Sequence, residues 1–308
     1  MNQHIRTIAI LGAGAVGSYL VMGLSDKYKE NLWVIADGER KDRLAKNGQN
    51  INDKVYSLHI KTPAEAHGVD LLFVCTKYTQ LRDSLPDIET ITDKHTMVVS
   101  LLNGVDSEEL IGQRIGMEHM IYSLIRIASH RIGNSIHFSL PKGYNGIYIG
   151  IPNQPACQDP RLAAIAEIFA DTPVTLHLSD DILLDMWDKF GLNVSRNLPQ
   201  AILGVGIGVY DDSIYADAIM RRMRHEVVLV ANAKGIPLTD EFKAAKWLPS
   251  QRYSTLQDLD AHRHTEIDMF SGALIRMGKE VGVECPYNEM TYNLIKALEE
   301  KNDGKFDY

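Results

Sequence analysis

Hydrophobic and polar residues alternate in two different ways along this 308-residue chain, and the change falls near residue 178. Before it, short apolar runs stand between stretches of helical periodicity, which is typical of parallel strands covered by helices. The later runs lie between Gly, Pro and Asn residues, so the sheet is predicted to end in a meander. The predicted strands are 6–11, 32–36, 69–75, 97–102, 121–128, 136–139, 147–151 and 174–177.

After Leu178 the spacing of apolar residues is helical to the end of the chain. Ser179 is a suitable N-cap for a long helix that should reach Pro199. Further helices are predicted over 211–234, 265–281 and 287–301. The pattern therefore predicts an α/β domain over 1–178 and an all-helical domain over 179–308.

A glycine-rich turn follows the first predicted strand and opens a predicted helix. The first glycine permits the tight turn, the second lets backbone approach a pyrophosphate, and the third lets the helix pack close to the sheet. The α/β domain is thus predicted to be a Rossmann-type dinucleotide-binding domain. The predicted cofactor contacts in this turn are Gly12, Gly14, Ala15, Val16 and Gly17.

Asp37 stands at the end of the second predicted strand. A carboxylate in this place accepts hydrogen bonds from the adenosine ribose hydroxyls and repels the 2′-phosphate of NADP. Arg40 and Lys41 are close enough in sequence to offer a replacement clamp for that phosphate, but Asp37 would still face it. The sequence therefore predicts NAD as cofactor in preference to NADP.

Composition excludes several classes of protein. With 45% hydrophobic residues and no apolar stretch of about 18 residues, no transmembrane helix is predicted. A net charge of −8 argues against nucleic acid as a partner. The two basic stretches, 39–43 and 221–224, are interpreted as solvated helix faces.

The cysteines and histidines predict no metal site and no disulfide. Cys75, Cys157 and Cys285 have no CxxC spacing, which is typical of a reducing compartment, so we expect the protein in the cytoplasm. His262 and His264 lack a third ligand nearby.

Lys189, Asn193 and Asn197 follow one another at steps of four, which places them on one face of the predicted long helix. Apolar neighbours indicate that this helix is buried, and a buried lysine needs a partner. The two amides can hold a polar ligand. From spacing alone, a ligand site and a lysine paired with a neighbouring carboxylate remain equally open.

The stretch 254–268 is the second polar constellation. Thr265 and Asp268 are spaced like a variant capping box. Glu266 would then lie in the first turn of a helix, where its negative charge interacts favourably with the helix dipole. Taken alone, these residues favour a structural role.

Together these pieces resemble the ketopantoate reductase (2-dehydropantoate 2-reductase) family, nearly from end to end. The resemblance rests on the glycine turn, Thr76-Lys77, Leu102-Asn103-Gly104, Trp187-Asp188-Lys189 with the two asparagines, and the stretch 254–268.

The resemblance implies a role for each matching residue. Lys189 is similar to the family's general acid, which protonates the alkoxide formed by hydride transfer to a 2-oxo acid. Glu266 is similar to its acidic partner. Substrate contacts are implied for Asn103, Asn193, Asn197 and Ser254, and cofactor contacts for Lys77 and Asn103.

Asp37 departs from the family pattern, in which arginine usually clamps the 2′-phosphate of NADPH. Relatives of this family include NAD-dependent D-2-hydroxyacid dehydrogenases, some of which act on D-mandelate. The expected substrate pair is 2-dehydropantoate and pantoate, as in pantothenate biosynthesis. The alternatives are a bulkier D-2-hydroxy acid such as D-mandelate, or a non-catalytic NAD-binding sensor. The resemblance also implies a homodimer, and the two-domain pattern itself predicts that the substrate is held in the crevice between the domains.

Overall fold

The computed structural model describes residues 4–139, 145–242, 248–306 and 308. The chain forms two compact units, Met1–Leu183 and Leu184–Tyr308. The boundary predicted near Leu178 lies shortly before this division.

Unit 1 contains an eight-stranded sheet in the order β12-β11-β8-β7-β6-β1-β2-β5 and a four-stranded sheet in the order β4-β3-β10-β9. In the larger sheet all neighbours run parallel except β8 and β11. The strands are β1 Ile8–Leu11, β2 Leu32–Ile35, β3 Gln49–Ile51, β4 Lys54–Tyr56, β5 His59–Lys61, β6 Leu71–Val74, β7 Met97–Ser100, β8 Met120–Arg126, β9 Ala128–Ile132, β10 Ser135–Ser139, β11 Gly146–Gly150 and β12 Leu176–Leu178. The helices are α1 Ala15–Tyr28, α2 Gly38–Asn47, α3 Tyr78–Ile91, α4 Ser107–Ile115 and α5 Pro160–Phe169.

The central strands β1, β6 and β7 of the larger sheet are buried on both faces, as a covered parallel sheet requires. Along β1, Ile8 and Ile10 belong to the hydrophobic cluster that includes Leu20 of α1. Ala9 and Leu11 belong to a second cluster, which includes residues of α3. This alternation follows from the two-residue period of a strand.

β1 lies between β2 and β6, so the strand order reverses beside it. At such a switch point the loops after the two strands diverge and leave a crevice at the carboxyl edge of the sheet. The α/β fold class with a Rossmann-type first unit is therefore confirmed.

The sequence missed β3, β4 and β5, which have three residues each and mixed polarity. The sequence also missed β9, and the meander predicted for the end of the sheet is wrong for β10. These two strands form a hairpin, and β10 pairs with β3 in the smaller sheet.

Beyond β12, the regular elements of the described residues are helices, as predicted. Its elements are α6 Ile182–Leu192, a π-helical segment Asn193–Asn197, α7 Leu198–Leu203, α8 Val209–Asp212, α9 Ile214–Ala233, α10 Ser254–Asp260, α11 Ser271–Val281 and α12 Pro286–Asn302. The long helix predicted to end at Pro199 instead passes through the π-helical segment and continues to Leu203. Helix α10 was not predicted.

The helix predicted to begin at Thr265 begins at Ser271, and the predicted capping box is wrong. The Asp268 carboxylate accepts hydrogen bonds from Tyr292 Oη at 2.7 Å and Lys296 Nζ at 3.0 Å. The Thr265 amide and hydroxyl both donate to Glu299 Oε1 at 2.7 Å. Because α12 holds both residues, residues 265–270 form turns instead of a first helical turn.

The two basic stretches behave differently. No residue of α2 is buried, so the stretch 39–43 is solvated as predicted. In α9, Arg221 is exposed and pairs with Asp217, but Arg224 is 1% exposed. The prediction of a solvated face is therefore wrong for Arg224.

Within the described ranges, no helix is long and apolar enough to cross a membrane. The same residues contain no cluster of three or more His, Cys, Asp or Glu side chains suited to a metal ion.

Candidate active site

The glycine turn lies at the switch point, directly after β1. Gly12 has φ +109°, and a β-carbon there would lie 2.6 Å from the carbonyl oxygen of Cys75, which follows β6. A β-carbon at Gly17 would lie 2.0 Å from the carbonyl oxygen of Gly12. These two glycines are therefore required by the fold itself.

Gly14 differs from the other two glycines because no atom lies within 4 Å of a β-carbon built there. The open space adjoins the N-terminus of α1, for which Gly14 is the N-cap. Nearby, Thr76 Oγ1 is buried and has no hydrogen-bond partner among the described residues. Open backbone at a helix N-terminus and an unsatisfied hydroxyl fit a bound pyrophosphate.

Lys77 and Asn103 lie at the same carboxyl edge of the sheet. Lys77 is exposed and is the N-cap residue of α3, just after β6. Asn103 is half-buried and follows β7, and the turn continues through Gly104 at φ +97°. Because β6 and β7 are parallel neighbours, the two residues follow adjacent strand ends.

Asp37 follows β2 and is exposed, at the position predicted for a ribose ligand. It also caps α2, since its Oδ1 accepts the Gly38 amide at 2.7 Å. Sequence reasoning did not foresee this second role. The pKa of Asp87 on α3 is raised, first by partial burial and then by the charge of Asp37.

Of the two cations close to Asp37 in sequence, Lys41 forms an ion pair and Arg40 is exposed on α2. Lys41 pairs with Glu65 at 3.0 Å, and the Thr62 amide also donates to that carboxylate. The backbone hydrogen bond from Thr62 and then Lys41 lower the pKa of Glu65 to about 2.

A buried carboxyl group fastens the segment that follows Asn103. Glu108 of α4 is 1% exposed; Ser107 Oγ donates to its Oε2 at 2.9 Å, and the Ser123 amide reaches Oε1 at 3.4 Å. Burial raises the pKa of Glu108 to about 7. Sequence reasoning missed this group, because a glutamate in a first helical turn is usually solvated.

In unit 2, Lys189 is half-buried, while Asn193 and Asn197 are 9% and 3% exposed. Asn197 Nδ2 donates to Asn193 Oδ1 at 3.3 Å. Asn197 Oδ1 is buried and has no hydrogen-bond partner among the described residues. The structure thus brings the two predicted amides together and leaves one acceptor unsatisfied, which fits a hydroxyl-bearing ligand.

The π-helical segment interrupts the regular face that the four-residue spacing predicted. Ser195 Oγ donates to the Gly191 carbonyl at 2.7 Å, and Pro199, two residues beyond the segment, has no amide hydrogen to continue the α-helical ladder. Widened turns of this kind frequently occur at functional sites.

Ser254 is exposed at the first position of α10. Gln200 of α7, fully buried, holds the segment before it: Nε2 donates to the Gln251 carbonyl at 2.8 Å, and Oε1 accepts the Tyr253 amide at 2.9 Å. Thr255 Oγ1 is buried without a hydrogen-bond partner in the described part of the chain. Sequence reasoning missed Gln200, although it lies one turn after Asn197.

Glu266 is half-buried in the turns before α11, and its carbonyl accepts the amides of Met269 and Phe270 at 3.0 and 3.2 Å. Thr265, directly before it, and Asp268, two residues after it, are both held by α12. The carboxylate is therefore carried by a short, well-anchored turn.

A Rossmann-type unit with this glycine turn, followed by a helical unit with a lysine and two buried amides, defines a nicotinamide-dinucleotide-dependent oxidoreductase. The chain belongs to the ketopantoate reductase family. The family model Ketopantoate reductase PanE/ApbA matches residues 8–154, and the model Ketopantoate reductase PanE/ApbA C terminal matches residues 181–299.

Individual relatives agree with this assignment. The chain is 27% identical to 2-dehydropantoate 2-reductase of Streptococcus pyogenes serotype M3 over 308 residues, covering 95% of this chain and 97% of the relative. D-Mandelate dehydrogenase, solved in a ternary structure with NADH and anilino(oxo)acetate, is 26% identical with a TM-score of 0.82, covering 96% and 99% of the two chains. Dimeric ketopantoate reductase from Staphylococcus aureus shares the fold at 16% identity and a TM-score of 0.77, with coverage of 96% and 99%. The family resemblance predicted from the sequence is confirmed.

Proposed function

We propose that this oxidoreductase transfers hydride between NAD(H) and a 2-oxo acid, giving a D-2-hydroxy acid, and that its substrate pair is 2-dehydropantoate and pantoate. The observation that carries the proposal is the buried Asn193–Asn197 pair, with its unsatisfied oxygen, on the helical stretch that follows Lys189. A sugar-like or hydroxylated acid can satisfy that oxygen, whereas a purely apolar ligand cannot.

When bound by unit 1, the reduced nicotinamide would supply the hydride that C2 of the 2-oxo acid receives. As the C2 oxygen gains negative charge, the Lys189 ammonium stabilises it and donates the proton that completes the hydroxyl group. Glu266 orients the ammonium and the substrate hydroxyls, while Asn193 and Asn197 hold the substrate through hydrogen bonds. Ser254 contacts the substrate carboxylate, and its place in the first turn of α10 favours an anion.

The cofactor role of unit 1 rests on the glycine turn. The pyrophosphate is proposed to bind beside Gly12, Gly14 and Gly17, where the amides of Ala15 and Val16 at the start of α1 can donate to it. Thr76 Oγ1 gains a hydrogen-bond partner in this arrangement. Lys77 and Asn103 are the further proposed cofactor contacts, and Asn103 also contacts the substrate.

The preference for NAD over NADP rests on the charges around Asp37. Capping of α2 uses Asp37 Oδ1 and leaves Oδ2 without a hydrogen bond among the described residues. Asp87 adds a second carboxylate close enough to interact with Asp37. Of the two cations closest in sequence, Lys41 is held by Glu65, so Arg40 is the one available to offset these charges against a 2′-phosphate. The net negative charge around Asp37 therefore favours NAD, whose adenosine ribose carries a 2′-hydroxyl in place of the 2′-phosphate of NADP.

A second candidate function is an NAD-dependent D-2-hydroxyacid dehydrogenase that acts on a bulky substrate such as D-mandelate. It is favoured by the likeness to D-mandelate dehydrogenase, which was solved with NADH. Both candidates use the same proton donor and the same direction of hydride attack. They differ in the side chain of the acid.

We also propose that the active form is a homodimer in the cytoplasm. Tyr287, Met290 and Leu294 of α12 are 42%, 65% and 40% exposed and share one helix face. Leu229 of α9, 42% exposed, lies one turn beyond Glu226, whose carboxylate accepts the Tyr287 amide. A second copy of the chain would cover this apolar surface. All three cysteines are free thiols, which fits a reducing compartment.

The experiment that tests the proposed function is a steady-state assay of a panel of 2-oxo acids with NADH and with NADPH. The proposal predicts the highest kcat/KM with 2-dehydropantoate and NADH. A higher kcat/KM with phenylglyoxylate, the 2-oxo acid of mandelate, would favour the second candidate. No turnover with any 2-oxo acid would refute both.

A further inference from the structure

Gln200 of α7 is a buried amide that joins two parts of unit 2, and none of the residue is exposed. Its Nε2 donates to the Gln251 carbonyl at 2.8 Å, and its Oε1 accepts the Tyr253 amide at 2.9 Å. A buried polar side chain is costly unless it is hydrogen-bonded, and Gln200 is hydrogen-bonded at both ends of its amide group. Both bonds go to one stretch of backbone, which leads into α10.

The connection through Gln200 has a proposed substrate contact at each end. Asn197 is the N-cap residue of α7 and precedes Gln200 by three residues, which is less than one helical turn. Tyr253 is the N-cap residue of α10 and directly precedes Ser254. Asn197 and Ser254 are therefore connected through one turn of helix, one side chain and one backbone amide.

The stretch before α10 is also attached at its beginning, by backbone alone. The Gln251 carbonyl accepts a second hydrogen bond, from the Ile207 amide at 3.0 Å, and the Pro249 carbonyl accepts the Gly208 amide at 2.9 Å. These bonds do not involve the side chain of Gln200 and do not depend on it directly. What Gln200 adds is a hydrogen bond to the N-cap residue of α10.

Apolar packing brings α10 onto α7 beside Gln200. Ala201 of α7 belongs to one hydrophobic cluster with Leu256 and Leu259 of α10. Apolar contacts have no preferred direction, whereas hydrogen bonds require a narrow range of distance and angle. The cluster therefore holds the two helices together, and the Gln200 amide sets where α10 begins.

We infer that Gln200 is a positioning residue: its two hydrogen bonds fix the start of α10, and with it Ser254, relative to the asparagine pair. The inference rests on the proposed roles of Ser254, Asn193 and Asn197 as substrate contacts. It goes beyond them because it assigns the placement of these contacts to a side chain that is itself fully buried.

Two substitutions separate the hydrogen bonds from the size of the side chain. Gln200→Met keeps the length and removes both bonds, so KM for the 2-oxo acid should rise at every pH. Gln200→Glu keeps the shape. A neutral carboxyl group donates one hydrogen bond and accepts another, as the amide does, whereas an ionised one only accepts and would face the Gln251 carbonyl oxygen. Because burial disfavours the charged form, KM of Gln200→Glu should be normal at low pH and rise only toward alkaline pH.

Several charged and titratable groups surround Gln200. Arg196 lies one turn before it, with its guanidinium carbon 4.4 Å from the ring centroid of Phe242. Tyr210 of α8 donates to the Arg196 carbonyl, and burial raises the pKa of its phenol. Ion pairs hold charged groups of the neighbouring helices: Arg224–Asp188, Arg263–Asp258 and Lys296–Glu299. Each value is therefore divided by that of the wild type at the same pH, which removes titrations common to both.

The experiment measures kcat and KM for the preferred 2-oxo acid at saturating NADH, from about pH 6 to pH 9, in the full-length enzyme. We expect KM to rise at least about fivefold in Gln200→Met at every pH. In Gln200→Glu it should lie within about twofold of the wild type at the lowest pH and rise above that. In both variants kcat and KM for NADH should change less than about twofold, because Lys189 and unit 1 are not touched by these bonds.

The matched control is Gln257→Glu. Gln257 of α10 is exposed, and its Nε2 donates to the Arg252 carbonyl at 2.8 Å, so the same substitution removes a bond that water can replace. Its KM should match the wild type at every pH. Urea unfolding of each variant measures any loss of stability, and a merely structural role would lower stability without raising KM of the folded enzyme.

An unchanged KM in Gln200→Met would overturn the inference and would assign any rise in Gln200→Glu to repulsion of the anionic substrate. A KM raised equally in both variants at the lowest pH would also overturn it, because the neutral acid keeps both hydrogen bonds. If Gln200→Met does not fold, Gln200→Asn is measured instead. It is one methylene shorter and cannot reach both partners, so the same rise in KM is expected.

Ser254→Ala separates this inference from the proposed function. A raised KM in Ser254→Ala with an unchanged KM in Gln200→Met would refute the role of Gln200 alone. An unchanged KM in Ser254→Ala would refute the proposed role of Ser254, and the inference with it.

Discussion

A β-carbon at Gly17 would lie 2.0 Å from the carbonyl oxygen of Gly12, whereas one at Gly14 would meet no atom within 4 Å. The first and third glycines of the turn are thus required for folding, and the second is free to serve a ligand. Gly17→Ala should cost roughly 1–3 kcal/mol of stability through overpacking. Gly14→Ala should unfold like the wild type in urea but bind NADH more weakly, because its methyl group occupies space beside the pyrophosphate. Equal loss of stability in both variants would contradict this division of roles.

Reversal of the charge at Asp37 should change cofactor choice. The wild type is expected to prefer NADH, and Asp37→Arg should raise the ratio of kcat/KM for NADPH over NADH at least about tenfold, because repulsion of the 2′-phosphate becomes attraction. Glu39→Arg makes the same charge change two residues later, on the exposed first turn of α2, and should shift the ratio far less. A wild-type preference for NADPH, or equal shifts in the two variants, would show that Asp37 does not set the specificity.

The buried carboxyl of Glu108 should make stability depend on pH. Its pKa is about 7 in the folded protein against an ordinary value of 4.5, so the folded state binds more protons between these values. Stability should therefore fall as pH rises from about 4.5 to 7, by roughly 3 kcal/mol at most. Glu108→Gln should abolish this slope in urea unfolding, whereas Glu109→Gln, at the exposed neighbouring position, should retain it. If the stability of Glu108→Gln still falls over this pH range, other titratable groups cause the pH dependence.

The apolar face of α12 predicts the state of assembly. Sedimentation of the wild type should give a dimer, and Met290→Glu should give a monomer, because it places a charge on a side chain that is 65% exposed and is expected to be covered by the second copy. Met117, 44% exposed in unit 1, offers the control substitution Met117→Glu, which should remain dimeric. A monomeric wild type would disprove the interface.

The parts of the site that depend on neighbouring residues in sequence could be predicted from the sequence. The glycine turn requires its residues within one strand-to-helix connection, and Asp37 follows the next strand, so local pattern is enough to place both. The four-residue spacing also placed Asn193 beside Asn197, as their hydrogen bond confirms.

The features that the sequence did not reveal depend on distant partners. Arg221 and Arg224 lie three residues apart on α9, yet one is solvated and the other buried, because Asp188 and the carbonyls of Thr239 and Glu241 receive the second. In the same way, α11 begins at Ser271 because Lys296 and Tyr292 of α12 engage Asp268. The spacing of hydrophobic residues within one helix does not show which distant residues will contact it.

Transfer of deuterium from NADH that carries deuterium at both C4 positions of the nicotinamide tests the central claim most directly. With 2-dehydropantoate as acceptor, the account predicts that the hydroxy acid formed carries one deuterium at C2. It also predicts that Lys189→Met lowers the rate at least about a hundredfold while the affinity for NADH is unchanged. The matched control is Lys279→Met, at an exposed position of α11, which should react like the wild type. Absence of deuterium from the product of every 2-oxo acid tried, or an undiminished rate in Lys189→Met, would contradict it.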